Sequence, residues 1–219
     1  MNAAHFFGSS IGKKVVMAVT GLVLFGFVVG HMIGNLQVYL GPEPLNAYGA
    51  LLRHMLHGVG IWVVRSALLA CIGLHIWAAT SLTLTSWKAR PVGYRQVTPE
   101  AASYASRTMR WSGPLLGLFI GYHLFHLTLG SAHPSFKEGD VYHNVIAGFS
   151  MWPVSAFYIV AMLALGLHMF HGVWSLLQSL GLSHPRFDPL RKRLAALVTG
   201  IVVLGNISIP VSVLTGLIR

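Results

Sequence analysis

Five apolar runs dominate this chain, at residues 15–40, 60–87, 109–130, 153–180 and 194–217. Each is as long as, or longer than, the about 20 residues that carry a helix across a bilayer. Between them lie stretches rich in turn residues: "GPEP", "KARPVGYRQVTPE", "SAHPSFKEGD" and "SHPRFDPLRKR". Only 9% of the 219 residues are charged and 54% are hydrophobic, against about a quarter charged in a soluble domain. The expectation is an all-α integral membrane protein, a single domain over residues 1–219 built as a bundle of five transmembrane helices. No segment is polar enough to fold as a soluble catalytic domain.

The formal net charge of +10 would suit a nucleic-acid binder if the basic residues formed a patch. Instead they sit at the ends of the apolar runs. Eleven fall on one side: Lys13, Lys14, Lys88, Arg90, Arg95, Arg107, Arg110, Arg186, Arg191, Lys192 and Arg193. Three fall on the other, Arg53, Lys137 and Arg219, and Arg65 lies inside the second run. The richer side is the cytoplasmic one. This places the N-terminus inside, the C-terminus outside and soluble partners on the inner face. The opening "MNAAHFFGSSIGKK" leads into too long an apolar segment for a signal peptide and is read as the start of a retained helix. The single cysteine, Cys71, rules out an internal disulfide and reads as a small buried hydrophobe.

Ionisable residues inside hydrocarbon are expensive and point to function. All five carboxylates (Glu43, Glu100, Glu138, Asp140 and Asp188) are expected in loops, which argues against a cation transporter or proton pump. The histidines behave differently. His31 lies in the first run, His75 in the second, His123 and His126 in the third, His168 and His171 in the fourth. At a rise of about 1.5 Å per residue, His31 is about 24 Å and His123 about 21 Å from an inner start, while His75 and His168 are each about 23 Å from an outer start. The histidines therefore sort into two levels. His31 shares the outer level with a histidine of the third run, and His75 shares the inner level with one of the fourth.

A single histidine in such a run is more often a hydrogen-bonded packing residue than a ligand. Four helices with matched depths favour two bis-imidazole haems stacked across the bilayer, since iron takes nitrogen ligands above and below the porphyrin. Neutral imidazole adds no charge to the lipid. No CxxCH occurs, so the haems would be non-covalent, b-type. Zinc needs three or four converging ligands and fits two per level less well. Gly34, Ala78, Ala79 and Gly172 lie on the histidine faces, where they would leave room for a flat ring. The Gly26–Gly30–Gly34 and Gly113–Gly117–Gly121 strips read as helix packing motifs.

The segments "VTGLVLFGFVVGHMIGN", "GLHIWAAT", "SGPLLGLFIGYHLFH" and "FYIVAMLALGLHMFHGVWSLLQSLG" together resemble the dihaem cytochrome b membrane subunit of succinate:quinone oxidoreductases, that is, of succinate dehydrogenases and fumarate reductases. The resemblance runs through all five helices. It implies His31 and His123 as ligands of the outer, distal haem and His75 and His168 as ligands of the inner, proximal one. His126 and His171 then fall at non-ligand positions. It implies electron transfer from a cytoplasmic iron–sulfur subunit, itself fed by a flavoprotein subunit, through two haems b to a quinone in a bacterial cytoplasmic membrane. Menaquinone is the first expectation. The same haem pattern would also serve a fumarate reductase or another quinone-linked complex, of hydrogenase or formate dehydrogenase type, and a haem-free scaffold or transporter is the third class.

Within that implied site, Lys14, Thr20 and Arg110 are candidate partners of the inner haem propionates and Arg65 of the outer ones. His126, His171, Gly34 and Gly172 are candidate lining residues. Asn46, Tyr48, Arg53, His54, His57 and Arg65 are candidate hydrogen-bonding groups for the quinone, each with an interfacial role as its plainer alternative. Glu43 is the only acid in the first outer loop.

Overall fold

A computed structural model describes residues 3–89, 104–181 and 184–219. Arg90, Arg95 and Glu100, counted above, lie outside the described residues. Among the described residues the regular structure is all helical, with eight α-helices: α1 Ala3–Gly8, α2 Ser10–Asn35, α3 Pro42–His54, α4 Val59–Lys88, α5 Tyr104–His123, α6 Val141–Ser150, α7 Trp152–Ser179 and α8 Asp188–Leu214. A 3-10 segment, Leu36–Leu40, extends α2, and a π-helical turn, Leu124–Thr128, extends α5.

Local chemistry sets the boundaries. The Ser9 hydroxyl accepts from Gly12 N at 3.0 Å and caps α2. Pro42 follows Gly41 (φ 101°) and opens α3, with Glu43 in the first turn. Asp140 caps α6 by accepting from His143 N at 3.0 Å. The α3–α4 corner is unusual. Leu56 (φ 52°), His57 (φ 54°) and Gly58 (φ 85°) are all left-handed, two of them against the preference of their side chains.

Among the described residues four helical stretches are long and apolar enough to cross a membrane: Ser10–Leu40, Pro42–Lys88, Trp152–Ser179 and Pro185–Leu214. Five were expected. The third expected run lies in α5 and its π turn, which are not among the four: Arg107 and Arg110 stand in its first half, and Ser112, Pro114, three glycines, His123 and His126 lower the hydropathy of the rest. The last helix starts six residues before the expected 194, so Asp188 stands in its first turn and Arg191 inside it, paired with each other. Glu43 is likewise helical rather than in a loop. The amphipathic α3 and α6 were not expected as helices. They pack on each other beside the ends of α2 and α8.

Within the bundle α2 packs on α4, α7 and α8, and α7 packs on α5 and α8. The main core gathers Val38, Leu45, Phe119, Phe149, Tyr158, Met162, Ile209 and Val213. A smaller core joins Met32, Met169 and Val202. Elsewhere large apolar side chains face outward, as on a surface solvated by lipid rather than water. Exposed tryptophans mark both ends of the long helices: Trp62 and Trp152 at one, Trp87 and Trp111 at the other, as in an interfacial aromatic belt.

Candidate functional site

The interior histidines meet across the diagonals of the bundle. His31 of α2 faces His123 of α5 with ring centroids 5.8 Å apart and planes at 85°. His75 of α4 faces His168 of α7 at 6.2 Å and 56°. Neither α2 and α5 nor α4 and α7 are among the helix pairs that pack closely, so in each diagonal the rings reach across a space that the backbones leave open. The two levels are separated by the eleven-residue step from Thr20, beside His75, to His31, about 16 Å along α2.

These separations suit the group that the resemblance implies. Two imidazoles bonded at about 2.0 Å to opposite faces of one metal atom hold their centroids about 6 Å apart. The donor set is two neutral nitrogens per level. Among the described residues no three of His, Cys, Asp and Glu converge as a metal-binding group. Open space is present beside one ring: a Cβ added at Gly172, one turn from His168, would meet nothing within 4 Å. Gly34 differs from expectation, because the Tyr48 ring fills the space next to it. Ala78 is fully buried and also offers no room. Of the two glycine strips, a Cβ at Gly26, Gly30, Gly113, Gly117 or Gly121 would meet nothing within 4 Å. Those positions are therefore not packing motifs within this chain.

Hydroxyl groups meet Nδ1 of three of the four rings. Thr20 Oγ1 lies 3.1 Å from His75 Nδ1, Ser112 Oγ lies 3.3 Å from His168 Nδ1, and Tyr158 Oη lies 3.3 Å from His123 Nδ1. An imidazole held at Nδ1 presents Nε2 in a set direction, the usual arrangement behind a metal-bound histidine. His31 is held by stacking on Phe27, with centroids 5.3 Å apart at 15°. Thr20, expected as a propionate partner, meets the His75 ring. Ser112 and Tyr158 escaped sequence reasoning, although a serine and a tyrosine within apolar runs were a usable signal. Gly21 also escaped: a Cβ there would lie 3.3 Å from His75 Cε1, so its small size lets His75 lie against α2.

The second members of each doublet sit differently. His126, in the π turn, is fully buried. Its Nδ1 meets Tyr158 Oη at 3.0 Å and its ring stacks on His133 at 4.9 Å. His171 lies edge-on to Trp174 at 5.9 Å, and neither its Nδ1 nor Trp174 Nε1 has a hydrogen-bond partner among the described residues.

The expected cationic and quinone groups are spread over both ends. Lys14 lines an open cavity of about 560 Å³ between the start of α2 and the end of α7, with Ser175 and Gln178. Arg110 lies over Trp87 at 5.7 Å and Arg65 over Trp62 at 5.1 Å. At the other end Asn46 is already engaged. Its Nδ2 donates to Asp140 Oδ1 at 3.0 Å, and its Oδ1 accepts from Tyr142 N at 2.9 Å, which ties α3 to the start of α6. The His143 backbone N–H, with the Asn46 amide next, holds the Asp140 carboxyl below its ordinary range. Tyr48 packs on Gly34, while Arg53, His54 and His57 are exposed.

A family model for the succinate dehydrogenase/fumarate reductase transmembrane subunit matches residues 88–207. That stretch contains His123 and His168, and His31 and His75 precede it. No curated protein and no solved structure matches the chain.

Proposed function

This chain belongs to the family of succinate dehydrogenase/fumarate reductase transmembrane subunits, and from that premise we propose that it is the dihaem, electron-conducting anchor of such a complex. In this reading α2, α4, α5, α7 and α8 cross a bacterial cytoplasmic membrane five times, with the N-terminus inside and the C-terminus outside. The lysine and arginine bias supports that orientation, and the tryptophans at both ends mark the two interfaces. The 20 residues of α5 amount to about 30 Å, enough for a span.

The observation that carries the reading is the pair of diagonal histidine contacts at 5.8 Å and 6.2 Å. His31 and His123 would hold the outer haem b, and His75 and His168 the inner one. Bound haem would supply one-electron redox chemistry. The chain's own share is to ligate and orient, through Thr20, Ser112 and Tyr158, and to keep water from the rings. Electrons would travel between a cytoplasmic iron–sulfur subunit and a quinone, with succinate or fumarate handled on a flavoprotein subunit outside this chain. Menaquinone is the quinone proposed, near the exposed Arg53 and His54 at the outer end of α3. Asn46 is a poor candidate for that contact, since both polar atoms of its amide are already engaged.

The test is a reduced-minus-oxidised spectrum with a pyridine haemochrome assay on the purified complex. Two haems b per chain are expected. A chain assembled with its partner subunits but lacking a b-type α-band would end this reading.

A further inference from the structure

The outer-level doublet forms one hydrogen-bonded unit. Tyr158 is 6% exposed, and its hydroxyl lies between Nδ1 of His123, at 3.3 Å, and Nδ1 of His126, at 3.0 Å. A phenol has one proton. It can donate to one ring only and must accept from the other, so the chain His123–Tyr158–His126 has a direction.

His133 limits what His126 can do. Ser135 N donates to His133 Nδ1 at 3.1 Å, so in the neutral ring the His133 proton is on Nε2, which donates to the Asn144 carbonyl at 2.9 Å. His133 thus has no nitrogen lone pair left for His126, although the two rings stack. His126 Nε2 is buried without a hydrogen-bond partner among the described residues, facing Gly148, where a Cβ would lie 2.9 Å from it. A buried unpartnered N–H is rarer and costlier than an unpartnered acceptor. Left alone, His126 would keep its proton on Nδ1 and donate to Tyr158.

We propose that Tyr158 is the positioning residue of the outer iron ligand and that metal at His123 sets the tautomer of His126 through it. This rests on the reading of His123 as a ligand. With Nε2 on iron, the His123 proton is on Nδ1 and is donated to Tyr158 Oη. Tyr158 then donates to His126 Nδ1, and the His126 proton moves to Nε2. The second histidine of "GYHLFH" is thus the far end of the ligand's hydrogen-bond chain. An acceptor behind Nδ1–H strengthens the imidazole as a donor to ferric iron, so Tyr158 would lower the potential of the outer haem alone.

The experiment uses the assembled complex and first establishes bis-imidazole haem in the wild type by its optical and electron paramagnetic resonance spectra. In Tyr158→Phe, which keeps the ring and its packing, the outer haem should shift its ferric resonance and raise its midpoint potential, with the inner haem unchanged. The outer haem is the one lost in His123→Ala. Loss of that haem alone in Tyr158→Phe counts as the same result. Unchanged signals with both haems bound, or a shift confined to the inner haem, would overturn the proposal. A second measurement needs no substitution: ¹⁵N spectra of histidine-labelled holo complex should show His126 as the Nε2–H tautomer, and an Nδ1–H signal would overturn the proposal. A wild type without bis-imidazole haem would overturn the ligand reading itself, a failure recognisable before any variant is made.

Discussion

Thr20 accepts a hydrogen bond from His75 across the α2–α4 interface. The Thr20 hydroxyl lies 2.7 Å from the Val16 carbonyl of its own helix and 3.1 Å from His75 Nδ1. Its one proton goes to the carbonyl, as is usual for threonine inside a helix. Only a lone pair then remains for His75, so Nδ1 carries the histidine proton and Nε2 is bare. A bare Nε2 is the form that binds a metal.

Thr20→Val keeps shape and removes that acceptor. The inner haem is expected to bind about 10-fold more weakly, measured by haem retention on titration with a competing apoprotein, with the outer haem unaffected. Thr20→Ser should restore binding. Equal weakening of both haems would mean that Thr20 acts on the bundle as a whole.

His123→Ala and His168→Ala should each lose one haem, and His126→Ala and His171→Ala neither, as counted by pyridine haemochrome. His126→Ala should still lower stability by about 2–3 kcal/mol, since it empties a fully buried site and leaves Tyr158 short of a partner. A His123→Ala complex retaining two haems would reverse the assignment within the doublet.

Gly148 is closed in by the stacked rings. A Cβ there would lie 2.7 Å from His126 Cε1 and 3.1 Å from His133 Nε2. Gly148→Ala should destabilise the outer end by about 1–3 kcal/mol through overpacking, read as a lower Tm with haem content preserved.

At the α3–α4 corner, Leu56 and His57 have φ of 52° and 54°. Glycine adopts this region without the side-chain clash, which costs about 1–2 kcal/mol per residue, although it also loosens the unfolded chain. Leu56→Gly should therefore stabilise by about 0.5–1 kcal/mol. A fall in Tm would show that the Leu56 side chain contributes more than its backbone costs.

Asp140 links the α6 cap to acid stability. Its folded pKa lies below the ordinary 3.8, first because the His143 N–H donates to it and then through the Asn46 amide. The sign follows from linkage. Its contribution is fully present above the unfolded value near 3.8 and is lost as pH falls through the lower folded value. Asp140→Ala should cost about 1 kcal/mol at neutral pH and flatten the acid limb below pH of about 4, measured by thermal unfolding across pH.

Much of this arrangement was legible in the residues. Helices expected at 60–87 and 153–180 occur as Val59–Lys88 and Trp152–Ser179, because an apolar run of that length has few other ways to satisfy its backbone. The constant helical rise puts His31 level with a histidine of the third run and His75 with one of the fourth, and those rings meet. Helix starts marked by polar or charged residues were harder. Asp188 and Arg191 read as loop, yet they pair inside the first turns of α8. The short α3 and α6 were missed because their apolar stripes are too brief to stand out.

What the sequence by itself determined is the helical membrane class, the sorting of the histidines into two levels and the residue types at each. Those follow from length, hydropathy and the constant rise of a helix. Only the tertiary structure decided what each nitrogen meets. The Nδ1 partners Thr20, Ser112 and Tyr158 lie 55, 56 and 35 residues from their histidines, on neighbouring helices whose rotation no local pattern encodes. The same packing filled the space at Gly34 with Tyr48, engaged Asn46 at the α6 cap and enclosed His126 while leaving Gly172 open. A helical period tells which face a residue occupies, but the rotation and separation of the neighbouring helix settle whether that face meets a ring, a hydroxyl or empty space.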